Sequence, residues 1–79
     1  MRFHWFPENT AHVALHGLTP SGVEAIFRAK DFAARQSFPR ERLEGEGIFR
    51  GKLYRVVYTQ PGPDEVYVIT AFRTRRRRT

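Results

Sequence analysis

Apolar and polar positions alternate, then group, in a way that divides the chain into a helical front and a strand-rich back. Phe3 and Trp5 alternate with polar neighbours, which predicts a short strand or an extended arm. Pro7 suits the first position of a helix. Ala11, Ala14, Leu15 and Leu18 fall at i, i+3, i+4 and i+7, and predict one apolar stripe that Gly17 brings to a stop. Thr19-Pro20 reads as the N-cap and first residue of a second helix, whose stripe is Val23, Ile26 and Phe27. The two helices form an αα-hairpin.

From Phe32 onward the pattern favours strands. Phe32 to Phe38 is a short candidate ending near Pro39. Arg42 to Phe49 is a second, in which Gly45 and Gly47 suggest a bulge. Lys52 to Gln60 and Glu65 to Arg73 are rich in Val, Tyr, Ile and Thr. The turn sequence Pro61-Gly62-Pro63-Asp64 makes them a hairpin. A register pairing Thr59 with Val66 and Leu53 with Phe72 places Leu53, Arg55, Val57, Val66, Val68, Thr70 and Phe72 on one face. The helices would cover that face. Tyr54, Tyr58 and Tyr67, with Lys52 and Arg73, would form an open surface on the other. The fold class is therefore α+β: two N-terminal helices packed on an antiparallel sheet of three to four strands.

Composition narrows this further. The 79 residues form one domain, with a body over 1–73 and a basic tail over 74–79. A chain this short buries only about 60% of its unfolded surface, so it sits close to the stability limit. It has no cysteine, which excludes disulfides and thiolate metal sites. The opening residues are too short and polar for a signal peptide, and no apolar run approaches the roughly 18 residues of a membrane span. A cytoplasmic protein is expected, with no membrane contact.

The net charge is +6, yet residues 1–73 carry 10 basic and 8 acidic groups, so most of the excess comes from the four tail arginines. Arginine outnumbers lysine 12 to 2. Arginine binds phosphate or carboxylate through a planar fork, which lysine lacks. Base composition in GC-rich genomes produces the same bias.

Candidate chemistry follows from these residue types. Lys52, Arg75, Arg76, Arg77 and Arg78 can neutralise RNA phosphates, giving salt-sensitive affinity without sequence information. The tyrosine face with Lys52 and Arg73 resembles a base-stacking platform, although cross-strand packing, or burial by a protein partner such as a second copy, is the more economical explanation. His12 and His16, four apart on the first helix, lack a third ligand and an HExxH glutamate, so no metal or other cofactor is called for. Glu41, Glu44 and Glu46, interleaved with Arg42, are acid–base candidates. RNA cleavage needs a base for the 2′-hydroxyl, cations for the pentacoordinate phosphate and an acid for the leaving oxygen.

The ordered motifs also carry a resemblance. Phe3-His4-Trp5-Phe6-Pro7-Glu8, His16-Gly17-Leu18-Thr19, Glu41-Arg42, Gly47, Gly51-Lys52-Leu53 with Arg55-Val56-Val57-Tyr58-Thr59, and Ile69-Thr70-Ala71 together resemble the BrnT family of bacterial toxins. Leu15 and Asn9 stand where that family usually has lysine. The ending Ala71-Phe72-Arg73-Thr74 looks more like a related RelE-like family. The resemblance implies a RelE-like fold and a ribonuclease toxin that inhibits translation, neutralised by a cognate antitoxin. On that reading Arg42, Arg55 and Arg73 contact phosphate or the transition state. Glu41 or Glu44 is the base, His16 or Tyr58 the proton donor, and Arg75 to Arg78 hold the RNA. The alternative is a non-catalytic nucleic-acid- or protein-binding module. A cluster of Glu with Arg in one cleft would separate the two.

Overall fold

The computed structural model describes residues 1–39 and 41–75. In chain order they form β1 (Arg2–His4), α1 (Pro7–Ala14), α2 (Pro20–Phe27), β2 (Ala33–Gln36), β3 (Arg42–Phe49), β4 (Lys52–Thr59) and β5 (Glu65–Arg73). The class is α+β, with two helices ahead of a β-meander. The sheet is larger than expected: five strands in the order β1-β5-β4-β3-β2. It is also mixed, because β1 runs parallel to β5 while the other pairs are antiparallel. The additional strand comes from the N-terminal arm, and the two helices carry the chain from β1 at one edge of the sheet to β2 at the other.

The caps hold as the sequence predicts, with Thr19 Oγ1 accepting from the Gly22 amide at 3.1 Å. Gly17, at φ 75°, supplies the left-handed residue after α1. The face of α1 differs. Of the expected stripe, Ala11, Ala14 and Leu15 point outward, Leu15 81% exposed, while Leu18, just beyond the helix, is buried in the core. Asn9 and Val13 face the sheet instead. The cause is polar. Asn9 accepts from the Phe6 amide at 2.7 Å and donates to the His4 and Val68 carbonyls, each at 2.9 Å. His12 Nδ1 meets the Ile69 carbonyl at 3.1 Å. β1 pairs with β5 only at residues 65–67, so side chains of α1 take up edge carbonyls beyond it.

α2 lies over β3. A Cβ on Gly47 would come within 2.9 Å of the Ile26 carbonyl oxygen, and one on Gly45 within 2.0 Å of the Phe32 ring. The two glycines thus mark close approach by α2 and Phe32. They do not mark a bulge: the β3–β4 ladder runs unbroken from Arg42–Thr59 to Phe49–Lys52. The irregularity lies in the next pair. Val57 pairs with Thr70 but Tyr58 with Val68, leaving Ile69 as an extra residue in β5.

That bulge corrects the expected register. Thr59 pairs with Tyr67 rather than Val66, and Phe72 pairs with Arg55 rather than Leu53. It gathers Val56, Tyr58, Val66, Val68 and Ala71 with Val13, Val23 and Ile26 in one core. The helices therefore cover the Val56 side of β4, not the Leu53–Arg55–Val57 side. The tyrosine platform does not form. Tyr58 is core, Tyr54 is half-buried against it, and Tyr67 points to the opposite face. The homodimer reading loses the surface it was based on.

Candidate functional site

Because Gly45 and Gly47 face α2, the alternate residues of β3 face away from the helices. They are Arg42, Glu44, Glu46 and Ile48. Register adds Arg35 opposite Glu44, Arg55 opposite Glu46, and Phe72 opposite Arg55. An open sheet face thus carries three arginines and two carboxylates around one aromatic ring.

The centre is an ion cluster. Arg55 Nε lies 2.7 Å and its Nη2 2.6 Å from Glu46 Oε2, while Glu44 Oε1 is 4.0 Å from Arg55 Nε. The Ser37 hydroxyl donates to Glu44 Oε2 at 2.7 Å. The guanidinium carbon of Arg55 sits 5.8 Å from the Phe72 ring centroid. The three charged side chains keep only 9–13% of their surface exposed. Two carboxylates flank one guanidinium, and Arg35 and Arg42 on the same face bring positive charge back. Such an arrangement sets carboxylate oxygens beside cations that could receive a phosphate.

The candidate residues distribute unevenly about this centre. Arg42 and Arg55 share the open face with Glu44. Glu41 is exposed in the turn that enters β3. His16 is exposed just beyond α1, with its ring 5.9 Å from that of Phe72, so it borders the same face. Arg73 does not join them; it is exposed beside Tyr54 on the helix-covered side. Lys52 and Arg75 are exposed at the same end of the sheet as Arg73. Arg76, Arg77 and Arg78 lie outside the described residues. Tyr58 is misplaced for proton transfer. It is buried edge-on against Phe27 at 4.8 Å, and burial raises its pKa above the ordinary 10.0. A core phenol cannot reach a ligand on the opposite face.

Sequence reasoning counted Glu46 among the acid–base candidates but gave Arg35, Ser37 and Phe72 no role in the chemistry. The period-two run Arg42-Glu44-Glu46 is the signal for Glu46. Among the described residues no three His, Asp or Glu side chains converge as metal ligands, and no helix is long and apolar enough to cross a membrane. Compared with known proteins, the chain matches no family model, no curated protein and no solved structure.

Proposed function

We propose that this chain is an RNA-cleaving toxin of a toxin–antitoxin pair, acting through its own acid–base side chains on the open sheet face. The observation that carries the reading is the Glu44–Arg55–Glu46 cluster on a face that no helix covers. Charge sequestered in this way contributes little net stability compared with well-packed apolar residues. A purely structural sheet would do as well with apolar residues there.

In the proposed reaction Glu44, whose Oε1 is buried in this structure, turns outward and accepts the proton of a 2′-hydroxyl. The freed O2′ attacks the adjacent phosphorus, the P–O5′ bond breaks, and the departing O5′ takes a proton from solvent. A 2′,3′-cyclic phosphate and a 5′-hydroxyl result. Arg42 and Arg35 meet the charge growing on the phosphoryl oxygens. Glu46 holds the Arg55 guanidinium in place beside Glu44, making it a positioning residue. Arg73, on the other side of the sheet, serves RNA binding rather than the reacting phosphate. Inhibition of translation and a cognate antitoxin belong to this proposal, as does a cytoplasmic location.

Induced expression in a bacterial host tests it. Glu44→Gln keeps the side-chain oxygen that accepts from Ser37 but removes the base. Wild-type chain arrests growth and leaves RNA with cyclic-phosphate ends. Glu44→Gln, equally soluble and folded, lowers cleavage at least about 100-fold and relieves arrest. Folded wild-type protein that neither arrests growth nor cuts RNA would turn the reading to a non-catalytic binding module.

A further inference from the structure

At one end of the molecule the α1–α2 turn, the β3–β4 turn and the end of β5 come together. Residues 15–22, 49–54 and 72–75 contain no Asp or Glu. They do contain Arg50, Lys52, Arg73 and Arg75, all exposed. Between the two turns is a cleft of about 340 Å³, lined by Thr19, Ser21, Gly22, Ala25, Phe49 and Arg50. No lining side chain is acidic, although Asp31 accepts from the Ile48 amide at 3.2 Å, one residue before Phe49. Its size suits a single nucleotide or another small ligand. The Arg50 guanidinium lies 5.1 Å over the Phe49 ring, which itself packs edge-on to Tyr54.

Arg50 occupies this place against its backbone preference. Arg50 has φ 52° and Gly51 φ 77°, so both central residues of the β3–β4 hairpin are left-handed. Such turns favour Asn, Asp or Gly at the first position, since a Cβ is strained there. The arginine offers the turn no local advantage over asparagine. It does deliver a guanidinium to an aromatic wall in a carboxylate-free cleft. The Gly22 amide is already capped by Thr19, so side chains, not the helix end, define the site.

We infer that this cleft is a nucleotide subsite for single-stranded RNA. An unpaired base stacks against the Phe49–Arg50 pair, and its flanking phosphates lie toward Lys52 and Arg73. The inference rests on the RNA reading above and extends the RNA path beyond the reacting phosphate. Single-stranded RNA fits better than an acidic peptide because the cleft combines cations with a flat aromatic surface, and stacking on such a surface tolerates any base.

Two substitutions test the cleft without opposing the fold. Arg50→Asn suits the turn, and Ser21→Glu places an acid in the first turn of α2, where it favours the helix. Binding of a labelled, uncleavable 2′-O-methyl RNA oligonucleotide is measured by fluorescence anisotropy across a salt series, with melting temperature alongside. Each variant binds about tenfold more weakly at unchanged or higher melting temperature. Wild-type affinity in both variants overturns the subsite. Cleavage of ordinary RNA is assayed in parallel. Weakened binding with no cleavage by the wild type supports the cleft and sinks the ribonuclease reading. A wild type that binds no RNA sinks both.

Discussion

Tyr58 shows how one side chain's position decides its chemistry. Its alternation with Tyr54 and Val56 is plain in the sequence, but which face those residues take depends on Ile69, an extra residue in the neighbouring strand. No local signal marks that bulge, so period-two reasoning could place Tyr58 on either face. The structure puts it in the core, where burial raises the phenol's pKa above 10.0. Below that pH both folded and unfolded chains hold the proton, and the group contributes no pH dependence. As pH rises through about 10 the unfolded chain releases the proton while the folded chain keeps it, so stability falls until the folded pKa is reached. Tyr58→Phe should flatten this alkaline loss. Urea midpoints compared between about pH 9 and pH 11 measure it, and an equally steep decline in the variant would show that Tyr58 is not the group responsible. The charged cluster was more legible. Arg42, Glu44 and Glu46 alternate on any regular strand, and only the cross-strand neighbour Arg55 required knowledge of the fold.

At the level of elements, the order of helices and strands followed from periodicity and caps, whereas faces and contacts did not. The α1 stripe failed because the helix is oriented by Asn9, a polar residue that hydropathy counts against burial. Its hydrogen bonds to His4 and Val68 outweigh the weak apolar preference of Ala11 and Ala14. The glycines of β3 were visible, but their cause was not, because a sequence does not show which backbone lies above a strand. The two positions should behave differently. Gly45 is crowded by the Phe32 ring alone, and a ring can be shortened. Gly47 is crowded by the Ile26 carbonyl oxygen, which belongs to α2 itself. Either alanine should cost about 2 kcal/mol through overpacking. Phe32→Leu should recover much of the loss for Gly45→Ala and little for Gly47→Ala. Urea titration of the single and double variants reads this directly. Equal rescue at both positions would mean that Phe32, and not the approach of α2, governs β3 packing.

For the whole molecule the decisive quantity is where charge lies. The body is nearly balanced but uneven: a mixed cluster of Arg and Glu lies on the sheet face away from the helices, and an exposed basic group occupies the end formed by the β3–β4 turn and the end of β5. Arg73 and Lys52 therefore belong with the tail rather than with Glu44. On the proposed function, RNA would run from the basic end onto the acid–base face, with sequence-independent attraction at its start. The tail's share can be measured by ending the chain at Arg75, which removes Arg76, Arg77 and Arg78 and lowers the net charge from +6 to +3. Each lost phosphate contact on a single strand reduces the salt slope by about 0.7, so the truncated chain should show a slope smaller by roughly 2 and weaker binding at low salt. Its urea midpoint should be unchanged, because the core and the side chains packed against it lie within residues 3–72. The affinity gap between the two chains should close as salt rises, since counterion release is the source of the difference. A slope identical in both chains would mean that these three arginines remain solvated while RNA binds, leaving attraction to Arg50, Lys52, Arg73 and Arg75.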